Sequence, residues 1–192
     1  MSKVSITNYI FKKGAYLGIP ATQIFVEGDG YTKEDHNMAI EYALKSGYKN
    51  VAIHANLTQN PILKETIQGL TAKNFIVSFI TDSTDNIGPL RIFKNLRFIL
   101  NVIPPTAQSN SVNPANFPLL KIDDEICFLI STKQQYEDVK EFLKGKAITQ
   151  PTVLFTILPG EFKDIQEIQE LEEQFLIDAV KEFKFKTRLQ IY

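Results

Sequence analysis

Short apolar runs alternate along the chain with stretches of helical periodicity, and the alternation predicts strand, turn and helix repeated to the C-terminus. The stretch that sets the pattern is Gln23-Ile24-Phe25-Val26-Glu27-Gly28-Asp29-Gly30-Tyr31-Thr32. It reads as a buried strand, a glycine-marked elbow, and a helix capped by Thr32 with Glu34 and Asp35 in its first turn. That helix is expected to end near Gly47 and to turn Met38, Ile40, Ala43 and Leu44 inward. A leading strand over 3–11 and a turn from Gly14 to Pro20 precede it.

The rhythm continues with a strand over 50–54 and a helix opened by Asn60-Pro61, with Ile62, Leu63, Ile67 and Leu70 on its buried side. A near-continuous apolar strand follows over 75–81, as expected where both faces are covered. One short helix is expected around Pro89 to Phe93, then a strand over 98–103. The loop from Pro104 to Pro118 carries four prolines and no periodicity, and a loop of that length in a compact domain is usually functional or mobile. Regularity returns with a strand over 125–130, a helix over 133–144 ended by Gly145, a strand over 152–158, a Pro159-Gly160 turn, a helix over 164–183 and a closing strand over 187–192. In the last helix Glu167, Glu170, Glu172, Glu173 and Asp178 read as a solvated face. About six strands, mostly joined by helices, imply an α/β fold with a parallel sheet and right-handed crossovers. An open, partial barrel and a flat doubly wound sheet both fit that pattern.

Composition narrows the class. A chain of 192 residues suits a single domain over 1–192. The formal net charge of -1 argues against general nucleic-acid binding. No apolar run reaches the roughly 18 residues that span a bilayer, and Met1 to Ile6 has no apolar segment of signal-peptide type. A cytoplasmic protein without a membrane role is the expectation. The single cysteine, Cys127, sits in a core strand and supports neither an internal disulfide nor a cysteine-ligated metal.

The chain has no phosphate loop of P-loop type, no Gly-x-Gly-x-x-Gly and no Gly-x-Ser-x-Gly. His36 is expected on a solvated helix face. His54 ends a strand, as do Glu27 and Asp29 and, on a third strand, Thr81 and Asp82, so a parallel sheet gathers them on one rim. Such a cluster suits acid–base work or a divalent metal. The plainer alternative is that rim Asp and Asn residues satisfy turns and cap helices.

Several segments resemble 7-carboxy-7-deazaguanine synthase, a radical S-adenosylmethionine enzyme family. They are Gly14-Ala15-Tyr16-Leu17-Gly18-Ile19-Pro20 before Ile24-Phe25-Val26, Phe75 to Thr84, Asp124-Glu125-Ile126-Cys127-Phe128-Leu129-Ile130, and Arg188-Leu189-Gln190. The resemblance spans nearly the whole chain and implies a partial parallel (β/α) barrel of the radical-SAM type. The family's chemical residues are absent. Its Cys-x3-Cys-x2-Cys follows the first strand, where this chain runs from Gly30 to Tyr31 and into the helix at Thr32. Its Thr-Gly-Gly-Glu-Pro falls on His54-Ala55-Asn56-Leu57-Thr58, its Gln-Gly-Glu-Gly on Phe11-Lys12-Lys13-Gly14, and its Ser-Pro-Lys on Ile103-Pro104-Pro105. Val26 and Ile80 stand where the family has arginine and glutamate.

An iron–sulfur cluster needs thiolate ligands, and one core cysteine cannot supply them. The expectation is therefore a pseudoenzyme without radical chemistry or bound cofactor, kept as a protein-binding, scaffolding or structural subunit. By the resemblance it is a homodimer or pairs with another protein; a component of a larger, even viral, assembly is a further reading. The alternative is a binder of pterins, deazapurines or nucleotides, or a non-radical enzyme, with Glu27, Asp29, His54, Asn56, Thr81, Asp82 and Arg188 lining its pocket.

Overall fold

The computed structural model describes all residues except 1, 2, 13, 29, 57, 83, 103–112, 145–147, 149, 159–161, 163, 164, 184, 185 and 192. Most of the loop from Pro104, together with Asp29, Gly145, the Pro159-Gly160 turn and Tyr192, lies outside the described residues.

Eight strands form one sheet among the described residues: β1 (Lys3–Ile10), β2 (Pro20–Glu27), β3 (Asn50–His54), β4 (Ile76–Thr81), β5 (Leu96–Val102), β6 (Glu125–Ile130), β7 (Thr152–Ile157) and β8 (Thr187–Ile191). Their order is the order of the sequence, with no reversal. A doubly wound sheet requires a switch in strand order, so the topology is that of the open, partial barrel. Each strand read segment by segment from the sequence forms, eight in all against the summary count of about six, and the leading strand does not join the parallel set. β1 pairs antiparallel with β2 as a hairpin, while β2 to β8 are all parallel. A hairpin needs only the short Phe11–Ile19 link, whereas a parallel pair needs a crossover.

Among the described residues four helices supply crossovers: α1 (Lys33–Ser46), α2 (Pro61–Ala72), α3 (Lys133–Leu143) and α4 (Ile165–Lys181). Between β4 and β5 the described residues form one 3-10 turn, Gly88–Leu90, rather than the helix expected around Pro89 to Phe93. Another 3-10 segment, Pro114–Leu119, precedes β6.

Alternate residues of the strands pack against the helices. Ile24, Ile53, Phe79 and Phe98 lie in adjacent register and are fully buried, as are Val102, Phe128 and Phe155 further along. Phe155 touches the rings of Phe128, Tyr136, Phe175 and Phe183 and joins α3 and α4 to the sheet.

Two helix faces differ from expectation. In α1 the buried residues are Ala39 and Ala43, while Met38 and Leu44 are exposed. Small residues let α1 approach closely; a Cβ on Gly69 of α2 would lie 3.3 Å from Ile40 Cδ1, so the large side chains are left at the margins. In α4 Asp178 is buried rather than solvated. Its carboxylate accepts from Lys140 Nζ and the Tyr136 hydroxyl, each at 2.8 Å, and from Gln174 Nε2 at 2.9 Å. The three donors offset its desolvation and hold its carboxyl below the usual range.

Candidate functional site

The elbow after β2 is a short connection, 28–32. Gly28 has φ +80°, a left-handed conformation that a side chain disfavours, and it turns the chain sharply off the strand. Thr32 closes a capping box: its hydroxyl accepts from Asp35 N, and the Asp35 carboxylate accepts from Thr32 N at 2.8 Å. Tyr31 is buried between them, with its hydroxyl 3.3 Å from that of Thr66 on α2. Burial pushes the Tyr31 phenol up to about 12. His36 is half-buried rather than solvated, its Nδ1 2.9 Å from the same Thr66 hydroxyl, and burial lowers its pKa. The elbow is thus pinned from both sides.

Around it the strand ends converge as parallel pairing requires. Phe25 pairs with His54, His54 with Ile80, and Ile80 with Ile99. A cavity of about 430 Å³ opens over these ends, and its walls include Glu27, His54, Asn56, Thr81 and Asp82. Five of the seven residues expected there are therefore brought together. Asp29 lies outside the described residues. Arg188 is not in the lining; it sits exposed on β8, in register with Leu154. Arg188 is the second residue of β8, whereas the mouth is built from the C-terminal ends of β2 to β5.

The rim groups hold one another. Asn56 Nδ2 donates to Asp82 Oδ2 at 2.7 Å, and Asn56 Oδ1 accepts from Thr81 Oγ1 at 2.9 Å and Asp82 N at 3.1 Å. Asp82 Oδ1 accepts from Thr84 N and Thr84 Oγ1. Thr58 reaches Asp85 in the same way, linking the loop after β3 to the loop after β4. These bonds satisfy turns, the plainer role foreseen for such residues, and they also fix the polar wall of the cavity. No group of three His, Cys, Asp or Glu side chains among the described residues is placed to hold a metal ion.

Phe25 and Asn101 complete the mouth and were not singled out from the sequence. Their signal was the period of two: Arg97, Ile99 and Asn101 share one face of β5, opposite Phe98 and Leu100. Behind the mouth lies a smaller chamber of about 100 Å³, walled by Tyr9, Phe11, Ile99, Glu125, Cys127 and Leu154 and sharing His54, Ile80 and Asn101 with the outer cavity. The His54 ring stands edge-on to Tyr9 and tilted against Phe25.

The hairpin link Phe11–Ile19 closes the opposite end of the barrel. Gly14 N donates to Gln190 Oε1 at 3.1 Å, and Gln190 Nε2 donates to Lys12 O at 3.0 Å, so the link reaches across to β8. Gly14 has φ +76°, a left-handed backbone that favours glycine, and a Cβ there would press on the Glu125 carboxylate. Tyr16 caps Arg97, with the guanidinium carbon 3.2 Å from its ring centroid, while Arg97 Nε donates to Ser78 Oγ at 2.6 Å. Burial lowers the Arg97 pKa and raises that of Tyr16. The interior is therefore reached from the C-terminal rim of the strands.

No family model matches the chain, and none of the curated proteins does. Solved structures do. The crystal structure of QueE from Escherichia coli matches with a TM-score of 0.71 at 12% identity, covering 97% of this chain and 92% of that one. SuiB from Streptococcus suis, a radical SAM enzyme, matches with a TM-score of 0.56 at 14% identity, over 84% of this chain and 44% of that one. SuiB bound to S-adenosylmethionine gives 0.58 at 13% identity, over 85% and 44%. Over nearly its whole length, this chain has the fold of QueE, a 7-carboxy-7-deazaguanine synthase.

Proposed function

We propose that this chain is a radical-SAM-type barrel without radical chemistry, a pseudoenzyme whose strand rim binds a small molecule. The observation that carries the reading is the elbow at 28–32, pinned by the Thr32–Asp35 box and the buried Tyr31, standing beside an open cavity. A [4Fe–4S] cluster does not fit the residues present. The elbow has no cysteine, and Cys127, the single one in the chain, is buried on β6 with its Sγ 3.3 Å from Thr156 Oγ1. The polar wall and the aromatic groups around His54 supply what a binding site needs: a concave surface of mixed polarity whose polar groups are fixed by hydrogen bonds.

The test is a thermal-shift screen of small heterocycles, amines and nucleotides against the wild-type chain and His54→Ala. Binding at the rim predicts compounds that raise the melting temperature of the wild type and lose that effect in the variant. A screen without such compounds contradicts the reading.

A second reading, a protein-binding or scaffolding subunit that pairs with itself or another protein, draws support from α4. There Leu176 and Val180 are 64% and 86% exposed on adjacent turns. Light scattering of the wild type against Leu176→Glu/Val180→Glu tests it. A stable oligomer that the double variant dissolves supports this reading, and a monomer in both contradicts self-association.

A further inference from the structure

We infer that the rim site selects a positively charged amine carrying a single aromatic ring, and disfavours phosphates, carboxylates and fused bicyclic rings. This rests on the reading of the rim cavity as a binding site and narrows what it takes.

The first argument is charge. The described walls of the outer and inner cavities include Glu27, Asp82 and Glu125 and no lysine or arginine. The connections at 28–32 and 55–60 hold none either. Arg97 offsets Glu125 in the interior, but at the mouth an anion meets Glu27 and Asp82 with no lysine or arginine in the described lining, while a cation is drawn in.

The second argument concerns the devices by which barrels of this kind ordinarily take anions, the open N-termini of helices. Here both neighbouring ones are closed by their own side chains. Thr32 caps α1, and Asn60 Oδ1 accepts from Ile62 N at 3.0 Å and Leu63 N at 2.9 Å at the start of α2. Amide groups already bonded have little left to offer a phosphate.

The third argument is shape. Phe25, 42% exposed, and His54 give the mouth an aromatic side, a surface that attracts ammonium groups. Behind it the inner chamber of about 100 Å³ is smaller than an engineered apolar cavity of about 150 Å³ that takes one benzene. Alone it does not enclose a whole ring, so a single ring enters it edge first through the His54, Ile80 and Asn101 wall shared with the outer cavity, and a fused pair is too broad for that opening. The ammonium then remains at the mouth between Glu27 and Asp82.

Calorimetric titration of the full chain tests this with 2-phenylethylamine, 2-phenylethanol, 3-phenylpropionate and guanosine 5′-monophosphate. The amine is expected to bind about tenfold or more tighter than the alcohol, with the two anions weaker still. Glu27→Gln, at an exposed rim position, should remove most of the amine's advantage and leave the alcohol unchanged. Leu154→Phe, which fills the inner chamber, should weaken both. Equal affinity for amine and alcohol, or tighter binding of either anion, overturns the charge selection but leaves the rim as a binding site. Binding by none of the four, with no hit in the wider thermal-shift screen, overturns both readings. No binding of these four beside a bicyclic hit in that screen overturns this inference alone.

Discussion

The two faces of the sheet are built to different rules. On the outer face successive strands contribute Ile24, Ile53, Phe79 and Phe98, all fully buried beneath helices. On the inner face the corresponding rows run through Ala52, Ser78 and Arg97, and through Asn101, Cys127 and Leu154. The outer face is filled by large apolar side chains. The inner face mixes small and polar residues with a smaller apolar cluster of Phe11, Ala21, Ala52, Ile80 and Ile99, and is covered by a hairpin link rather than by helices. The larger core therefore lies on the outer side, and the smaller inner cluster leaves room for a cavity. Closed barrels fill that interior with layers of bulky branched residues.

The largest expected effect is on the outer face. Phe155→Ala removes a fully buried ring with four aromatic neighbours, and we expect a loss of about 3–5 kcal/mol in denaturant unfolding. A loss below about 1 kcal/mol would break the comparison, because a ring so enclosed leaves a cavity that its neighbours cannot fill.

Next comes the pinned elbow, read through pH. Tyr31 titrates near 10 when unfolded and near 12 when folded. Below pH 10 both states hold the proton. Between pH 10 and 12 the unfolded state loses it first, so stability falls as pH rises through that window. Wild type minus Tyr31→Phe should therefore diverge progressively above pH 10, by up to about 2–3 kcal/mol near pH 12. Parallel stability curves for the two proteins would show that Tyr31 is not held as described.

The smallest effect belongs to the inner face. Arg97→Met removes the stacking on Tyr16 and the bond to Ser78, but it also removes a buried Nη2 that has no partner among the described residues. These contributions oppose each other, and the net change should stay within about 1 kcal/mol. A loss as large as that of Phe155→Ala would show that the inner face is a second stabilising core.

Much of the outer face was legible in the sequence. Apolar runs such as Phe75 to Thr81 and the spacing of Ile62, Leu63, Ile67 and Leu70 are properties of one segment at a time, and they located the strands and helices. The rim cluster was legible too, because parallel pairing alone places the ends of β2, β3 and β4 together. What depends on two distant segments was not. Asp178 looked solvated because its partners Tyr136 and Lys140 lie on another helix. Arg188 is a different case: it stands second in β8, at the end away from the C-terminal rim. The chamber behind His54 is made jointly by β1, the hairpin link and five parallel strands, and no single stretch announces it. The burial of Met38 and Leu44 failed for a related reason: the approach of α1 to α2 is set by Ala39, Ala43 and Gly69, whose small size carries little hydrophobic signal.

The central proposal is that the strand rim holds a cavity and has no residues to hold a cluster. Anaerobic reconstitution with iron and sulfide, followed by iron analysis and incubation with S-adenosylmethionine and a reductant, tests it most directly. The account predicts no stoichiometric iron and no 5′-deoxyadenosine. Protein that retains a cluster through gel filtration and releases 5′-deoxyadenosine would contradict it.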